Sequence, residues 1–358
     1  MLALTFVFSG FVKSVDPWGT AIKFGEYFTA FNMEWLYGWR FFFAIWLTGA
    51  EMMLGCMVLF KVRLRLTSIF IFAAMTFFTI LTLVLAIWNP VEDCGCFGDA
   101  IKLTNWGTFI KNLILWPMAF LVFWSSRKKP IMPTLRDLGF MALFGGIAFG
   151  IGIYSYRHLP LIDFLPYKVG TNLAAEVYKP DVEKEVETIV IVRNLETGKK
   201  HEFDIEDTTW HDENLWEYLD IKNTALNTRV HPTVRDFAVM DADGNLVTDG
   251  VLFDPGVVLM VCASDFDDIK SSCARHLENA VKQAFGRGYT VICLTAESLE
   301  VHPELVLGGD HVPCFNMDAT TLKTMLRAKV GVVVLKNGVI AGKENCRDML
   351  DKKELPRF

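Results

Sequence analysis

The sequence of 358 residues has few cysteines and no excess of basic charge. Eight cysteines are too few for a disulfide-stabilised scaffold of this length, so their number alone does not identify an oxidising compartment. The 35 basic and 41 acidic residues give a net charge of −6, which provides no footprint for nucleic acid. Charge is scarcest before residue 157, where apolar residues are in excess. We therefore predict a membrane bundle at 1–157 and a water-soluble part after it.

Four apolar runs are long enough to cross a membrane. A helix rises 1.5 Å per residue, so roughly 20 residues cross a hydrocarbon core of about 30 Å. These runs are 37–60, 67–88, 106–124 and 138–156. A fifth run, 1–12, reaches only about 18 Å before Lys13. No basic segment precedes it, as a cleavable signal peptide would require, so we expect a half-length helix of the bundle or a chain that starts further upstream.

The basic residues of the loops predict the orientation of the bundle. Two loops are rich in lysine and arginine, which favours the cytoplasmic side for both. Their basic residues are Lys61, Arg63, Arg65, Arg127, Lys128, Lys129 and Arg136. The loop 89–105 is acidic by comparison and is expected outside. Five spans then place everything after residue 158 outside as well, which in a bacterium means an inner-membrane protein with a periplasmic, oxidising C-terminal part.

The loop 89–105 contains two closely spaced thiols, Cys94 and Cys96. A disulfide between residues i and i+2 closes a small strained ring, which Gly95 makes possible, and strained disulfides tend to be oxidising. The pair is therefore a candidate redox-active dithiol. A structural disulfide that tightens the turn is the alternative. A soft-metal site is a further reading, but no nearby histidine or further cysteine completes a ligand shell, so no metal is predicted.

Two charged residues inside the predicted spans are further candidates, because charge is costly in a bilayer. Lys111 lies about 8 Å inside the outer end of its run, where it either snorkels to the interface or stabilises a thiolate or a quinone oxygen. Glu51 lies about 13 Å from the cytoplasmic end of its run and is either a structural buried acid or a proton relay. Thr76 has a similar depth and is a candidate hydrogen-bond partner for Glu51. The sequence specifies no cofactor, and a quinone is the candidate.

The water-soluble part divides into a linker with a small β segment at 158–230 and an α/β domain at 231–358. Alternating residues at 187–203 predict a hairpin. The α/β domain begins with a hairpin at 236–247, and buried strands and amphipathic helices alternate after it. The predicted strands are 257–262, 289–294, 331–335 and 339–341, and the predicted helices are 267–285 and 318–327. An Asn337-Gly338 turn joins the last two strands.

This order of elements resembles the thioredoxin fold, entered through a peroxiredoxin-like hairpin. The cysteine pair of a thioredoxin would lie at 266–269, where this sequence has no thiol, and its cis-proline corresponds to Val330. The domain is therefore expected to be degenerate and redox-silent. Cys262, Cys273 and Cys293 are interpreted as small buried hydrophobic residues, while Cys314 and Cys346 are less constrained.

The membrane half resembles the DoxX/MauE family of small helical-bundle membrane proteins. The residues that carry the resemblance are Phe8-Ser9-Gly10-Phe11-Val12-Lys13, Asp16-Pro17, Gly19-Thr20-Ala21, Cys94-Gly95-Cys96-Phe97-Gly98, Asn105-Trp106 and Lys111-Asn112. Fusion to a thioredoxin-like domain resembles a form seen in Bacteroidota. The resemblance implies a multi-pass α-helical membrane bundle followed by an α/β thioredoxin-like domain. It also implies a link to periplasmic disulfide formation, protein maturation and quinone-linked oxidation.

Two functions remain open at this point. In the first, Cys94 and Cys96 exchange disulfides with a periplasmic thiol protein and pass electrons to a quinone in the bundle. In the second, the bundle, which lies among membrane lipids, anchors a non-catalytic domain that binds or helps to assemble an envelope protein. The first lacks a second cysteine pair for relaying electrons, because Cys56 is alone and near the cytoplasmic end. The second is favoured by the missing thiols at 266–269.

Overall fold

The computed structural model describes most of the chain. The described residues are 1–91, 93–179, 186–195, 197–204, 207, 209, 212, 215–225, 234, 237–269, 273–300 and 302–351. The chain divides into two compact units. One unit contains Met1–Asn172 together with Asp236–Phe358, and the other contains Leu173–Arg235.

The N-terminal part of the larger unit is a bundle of six helices. They are α1 (Leu2–Val15), α2 (Pro17–Ala30), α3 (Arg40–Leu59), α4 (Leu64–Trp88), α5 (Asn105–Ser126) and α6 (Leu135–Arg157), with a 3-10 turn at Glu34–Trp39. Four helical segments are long and apolar enough to cross a membrane: Glu34–Leu59, Leu64–Trp88, Asn105–Ser126 and Leu135–Arg157. Helix α1 is apolar but has only 14 residues. The four predicted long spans and the shorter first helix are therefore confirmed.

Helix α2 was not predicted from the sequence. Its start is well defined, because the Asp16 carboxylate accepts a hydrogen bond from the Gly19 backbone N–H at 3.0 Å and Pro17 occupies the first helical position. Trp18, Ala21 and Phe28 are buried. The polar residues Lys23 and Tyr27 contact the loop that follows α4. The helix is thus amphipathic and forms part of the wall around that loop.

Helices α1 and α3 pack closely because glycines lie where they cross. A Cβ atom at Gly55 would lie 2.6 Å from the Val7 backbone nitrogen, and one at Gly10 would clash with the backbone of Met52. Small residues at such crossings let two membrane helices approach each other. This contact places the polar residues of α1 directly beside those of α3.

The smaller unit consists of α7 (Leu173–Val177) and three strands, β1 (Val186–Asn194), β2 (Lys200–Asp204) and β3 (Trp216–Ala225). The strands form an antiparallel sheet in the order β2-β1-β3. Strands β1 and β2 are the hairpin predicted at 187–203.

The C-terminal part of the larger unit is an α/β domain with a six-stranded sheet. Its elements are α8 (Thr248–Leu252), β4 (Val257–Ala263), α9 (Phe266–Ile269), α10 (Ala274–Gly286), β5 (Thr290–Thr295), β6 (Glu304–Leu307), β7 (Asp310–Asn316), α11 (Ala319–Leu326), β8 (Val330–Lys336) and β9 (Val339–Asn345). The strand order is β6-β7-β5-β4-β8-β9. Strand β5 is parallel to β4, whereas β8 is antiparallel to β4 and β9 is antiparallel to β8.

Strands β4, β5, β8 and β9 and the helical segment between β4 and β5 fit the predicted thioredoxin-like fold. Two details differ from the sequence prediction. The helix expected at 267–285 is two helices, α9 and α10, and the edge hairpin β6–β7 was not predicted. No cis peptide bond occurs in the part of the chain that the structure describes, and Val330 begins β8 in the trans form.

Cys273 and Cys346 form a disulfide, with Cα atoms 5.6 Å apart and 73 residues between them in sequence. Interpreting Cys273 as a small hydrophobic residue was therefore wrong. The start of α10 brings Cys273 beside the end of β9, a proximity that only the tertiary fold creates. Cys262, Cys293 and Cys314 are free and buried.

The α/β domain and the bundle belong to the same unit, and a buried arginine joins them. Arg327, which ends α11 in the left-handed region with φ 53°, is 3% exposed. Its Nε lies 3.0 Å from an Asp16 carboxylate oxygen, and its Nη2 lies 2.6 Å from one of Asp99. Asp16 caps α2, and Asp99 lies three residues after Cys96. The cysteine loop is thus tied directly to the α/β domain.

Further contacts join the α/β domain to the bundle near Arg327. The Asn345 side chain donates to the Arg157 carbonyl at 3.1 Å, and Asp348 pairs with His158. Residues 170–172 of the linker also extend the sheet, since Gly170 N–H donates to the Ile340 carbonyl at 2.8 Å. The end of the sheet where β8 begins and β9 ends therefore faces the side of the bundle that carries the cysteine loop.

Candidate functional site

The turn around Cys94 and Cys96 holds two free thiols close together. Their Sγ atoms lie 2.9 Å apart. Gly95 has φ +64°, a conformation that favours glycine, and the Gly98 N–H donates to the Gly95 carbonyl at 3.0 Å. The predicted pairing of the two cysteines therefore has a local cause, because the tight turn at Gly95 directs both side chains to the same side.

Side chains from α1 and α2 hold the backbone of this turn. The Tyr27 hydroxyl donates to the Cys94 carbonyl at 2.8 Å, and the Ser9 hydroxyl donates to the Cys96 carbonyl at 2.7 Å. The Asp93 carboxylate accepts from the Gly95 N–H at 2.9 Å and lies 3.4 Å from the Lys23 ammonium. With Arg327 on Asp99, both ends and the middle of the turn are fixed, so the thiols are preorganised.

Lys111 lies beside the cysteine turn, as its predicted depth implied. Its ammonium is 4.4 Å from the centroid of the Phe97 ring, a cation–π contact, and that ring also packs against Phe8 at 5.7 Å. Among the residues that the structure describes, no carboxylate lies within ion-pair distance of Lys111. Its positive charge is therefore available to a neighbouring anion.

Glu51 forms an ion pair with Lys13, so the prediction that Thr76 is its partner was wrong. The Lys13 ammonium lies 2.5 Å from Glu51 Oε2, and the Ser9 hydroxyl lies 3.1 Å from the same oxygen. Lys13 is 5% exposed and Glu51 7%. Thr76 instead accepts a hydrogen bond from Trp116 Nε1 at 3.0 Å. Ser9 thereby connects the ion pair to the backbone of Cys96.

Lys13, Ser9 and Tyr27 were not singled out as site residues from the sequence. The apolar run 1–12 ends before Lys13, whereas α1 continues to Val15 and packs on α3. A signal did exist, because Ser9 and Lys13 belong to one of the segments that carry the family resemblance. Tyr27 lies on α2, which was not predicted.

The two thiols have different acidities. The hydrogen bond from the Cys94 thiol lowers the pKa of Cys96, and the nearby ammonium groups of Lys111 and Lys13 act in the same direction. They outweigh burial and bring the pKa of Cys96 to about 6. The hydrogen bond to Cys96, together with burial, raises the pKa of Cys94. Cys96 is thus the thiolate of the pair and Cys94 the thiol.

The pH dependence of alkylation should reveal this thiolate. In the reduced protein, modification of Cys96 by iodoacetamide is expected to rise with a midpoint near pH 6, whereas an ordinary thiol titrates near about 8.5. Fragment-ion mass spectrometry separates Cys96 from Cys94 on the same peptide. Lys111→Met should move the midpoint to higher pH. A midpoint at pH 8 or above in the wild type would contradict the assignment.

A cavity of about 650 Å³ lies in the bundle next to the cysteine turn. Cys94, Cys96 and Lys111 line it, as does Glu51, so all four predicted site residues share one cavity. Most of the remaining lining is apolar and comes from α1 to α4. Among the described residues, no group of three or more histidine, cysteine or acidic side chains is arranged to hold a metal ion.

Comparison with known proteins finds one similarity, and it lies in the membrane part. Residues 1–125 match the model of a family described as methylamine utilisation protein MauE. The matched region contains α1 to α4, the cysteine turn and nearly all of α5. No curated protein and no solved structure matches the chain.

Proposed function

We propose that the Cys94–Cys96 pair, which lies in the region similar to the MauE family, exchanges disulfides with thiol proteins outside the cytoplasm. The observation that carries the proposal is the geometry of the pair. Two free thiols lie 2.9 Å apart in a turn that is held by four side chains and faces two lysines. A turn that served only as a structural link would have no need of a thiolate beside the Lys111 ammonium, which has no carboxylate partner among the described residues.

The exchange can be written for the oxidised pair. A thiolate of the partner protein attacks Sγ of Cys94, the Cys94–Cys96 bond breaks, and Cys96 leaves as a thiolate. A second thiolate of the partner then attacks the partner sulfur that is bonded to Cys94, and Cys94 is released as a thiolate. The partner gains a disulfide, and the membrane protein becomes the dithiol. The low pKa of Cys96 favours this direction, because a more acidic thiol is a better leaving group.

We assign the protein to a bacterial inner membrane, with the cysteine turn and the α/β domain on the periplasmic side. The basic residues in the loops between α3 and α4 and between α5 and α6 support this orientation. The ion pair between Arg327 and Asp99 supports a common side for the turn and the domain. The periplasm would supply thiol proteins that require disulfides.

The alternative function, a non-catalytic scaffold that binds an envelope protein, is less well supported. The thioredoxin-like domain has no thiol at 266–269, in agreement with a non-catalytic role. However, the edge of the sheet where β8 begins contacts the bundle through Arg327 and Asn345. A partner would have to use another surface. The domain is better explained as a support for the cysteine turn.

Trapping in cells tests the proposed exchange. Because the exchange is reversible, Cys94 of the Cys96→Ala variant can attack the disulfide of an oxidised partner, and without Cys96 the mixed disulfide is not resolved. It should accumulate as a higher band on non-reducing gels that disappears on reduction. Cys56→Ala is the matched control, because Cys56 lies on α3 away from the turn, and it should give no such band. Recovery of Cys94 only as an unmodified thiol in the Cys96→Ala variant, at normal protein levels, would refute the proposal.

A further inference from the structure

We propose that a second cavity, between the bundle and the α/β domain, binds the headgroup of an anionic phospholipid. This inference is independent of the proposed disulfide exchange. It follows from three features of the cavity: its walls, which come from both parts of the larger unit, its position at one end of the membrane spans, and its two cations.

The second cavity has a volume of about 560 Å³ and shares no lining residue with the cavity beside the cysteine turn. Helix α2 separates the two cavities, since Ile22 lines this one and Lys23 lines the other. The remaining walls are the start of α3, residues 90–91 after α4, and Thr320 and Lys323 of the α/β domain. The volume is within the range of roughly 300–1,000 Å³ found for small-molecule sites, so a lipid headgroup can be accommodated.

The second cavity lies where the membrane spans end on the side of the cysteine turn. Arg40 is the first residue of α3, and Pro90 lies two residues after Trp88, the last residue of α4. Four exposed tryptophans mark this end of the bundle: Trp35, Trp39, Trp88 and Trp106. Tryptophan is enriched at membrane–water interfaces. The cavity is therefore at the depth of the lipid headgroups, where phosphate groups are abundant.

Two cations, Arg40 and Lys323, line the second cavity. Among the residues that the structure describes, no carboxylate lies within ion-pair distance of either. The Arg40 guanidinium lies 4.0 Å from the centroid of the Tyr37 ring and donates to the Tyr37 carbonyl at 3.4 Å, which uses one of its N–H groups. The acidic residue of the lining, Glu26, pairs with Lys23 at 2.9 Å. The cavity thus has an excess of positive charge.

An anionic phospholipid fits this combination of groups. Guanidinium and ammonium groups both bind phosphate oxygens, and the planar guanidinium can do so with two N–H groups at once. Because the acid of the lining is already paired, a headgroup with net negative charge is favoured over a zwitterionic one. The acyl chains would lie along the start of α3, where Trp39 is 59% and Phe42 56% exposed. A soluble phosphate would gain nothing from this apolar surface.

A lipid in the second cavity would also join the two parts of the larger unit. Arg40 belongs to the bundle, whereas Lys323 belongs to α11, the helix that ends at Arg327. A phosphate held by both cations would therefore act beside the contacts of Arg327 with the bundle. A ligand that binds only the docked arrangement stabilises that arrangement. The lipid should thus help to hold the α/β domain on the bundle.

Lipid retention by the purified full-length chain tests the site. Native mass spectrometry in a neutral detergent would compare dioleoyl phosphatidylglycerol, dioleoyl phosphatidylcholine and the water-soluble sn-glycerol 3-phosphate. We expect phosphatidylglycerol to bind about tenfold more tightly than phosphatidylcholine, and sn-glycerol 3-phosphate not to be retained. Lys323→Met should weaken phosphatidylglycerol binding about fivefold, and Arg40→Gln/Lys323→Met about 25-fold. Phosphatidylglycerol should also slow proteolysis in the linker 158–172 of the wild type but not of the double variant.

Lys102→Met is the matched control, because it removes one positive charge on the same side of the bundle from a residue that does not line the cavity; it should bind like the wild type. Arg40→Lys keeps the charge and should retain most of the binding, which distinguishes loss of charge from loss of fold. Equal retention of both lipids, or equal affinity of the double variant and Lys102→Met, would overturn the inference. Tight binding of sn-glycerol 3-phosphate would assign the cavity to a soluble phosphate ester and overturn the lipid as its ligand.

Discussion

Replacing Arg327 with leucine is expected to destabilise the larger unit by about 3–5 kcal/mol, the usual cost of leaving a buried charge without its partner. Arg327 is 3% exposed and is held by both Asp16 and Asp99. Its loss would leave two carboxylates facing each other with no cation between them. Thermal unfolding of the purified chain, and faster proteolysis in the linker 158–172 as the α/β domain separates from the bundle, would measure the effect.

The pH dependence of the Arg327→Leu variant provides an independent check. Burial already raises the pKa of Asp16, while the Arg327 charge opposes this effect. A group whose pKa is raised by folding stabilises the folded state at low pH and loses that contribution as pH rises through the folded pKa. Without Arg327 the pKa of Asp16 should rise further. The variant should therefore be closer in stability to the wild type at pH 5 than at pH 8.

Two substitutions serve as controls for Arg327→Leu. Lys329 lies two residues after Arg327 and forms an exposed ion pair with Asp268. Lys329→Met removes this pair and should change the free energy of unfolding by no more than about 1 kcal/mol. Arg327→Lys keeps the charge but has one ammonium for two carboxylates, so it should lose part of the stability. Equal stability of Arg327→Leu and Lys329→Met would show that the buried contact does not hold the domain.

The sequence predicted the long helices well because their signal is local. A membrane span needs only a run of apolar residues, and the four long spans each have one. Helix α2 was not predicted because Lys23 and Glu26 interrupt its run of apolar residues. Its apolar face is buried against other helices rather than in lipid. In the α/β domain, buried strands and the Asn337-Gly338 turn identified the core. The edge hairpin β6–β7 has a weaker alternation and was missed.

The cysteine pair was predictable, whereas its surroundings were not. Cys94 and Cys96 are two residues apart, so the sequence alone predicts that they are close. Glu51 meets Lys13 only because α1 packs on α3, and depth along separate helices cannot show which helices are neighbours. The disulfide between Cys273 and Cys346 joins residues 73 apart in sequence and depends on the packing of α10 beside the end of β9. The contact of Arg327 with Asp99 spans 228 residues. All three depend on tertiary packing.

Replacing Lys13 with methionine is the second substitution with a large expected effect. Glu51 is only 7% exposed, and the substitution would leave its carboxylate inside the bundle with the Ser9 hydroxyl as its remaining contact. Breaking a buried ion pair in this way costs about 3–5 kcal/mol. The same change removes one of the two ammonium groups that lower the pKa of Cys96, so the midpoint of Cys96 alkylation should also move to higher pH.

A double substitution separates the two effects of Lys13. In Lys13→Met/Glu51→Gln the uncompensated charge is gone, so most of the lost stability should return, because neutral groups of similar shape replace the pair. The alkylation midpoint should remain higher than in the wild type, because the Lys13 ammonium is still missing. Lys61→Met, in the loop between α3 and α4, should alter neither quantity. If the double variant is no more stable than Lys13→Met, the ion pair is not what stabilises this part of the bundle, and the contact between α1 and α3 must depend on the glycine packing alone.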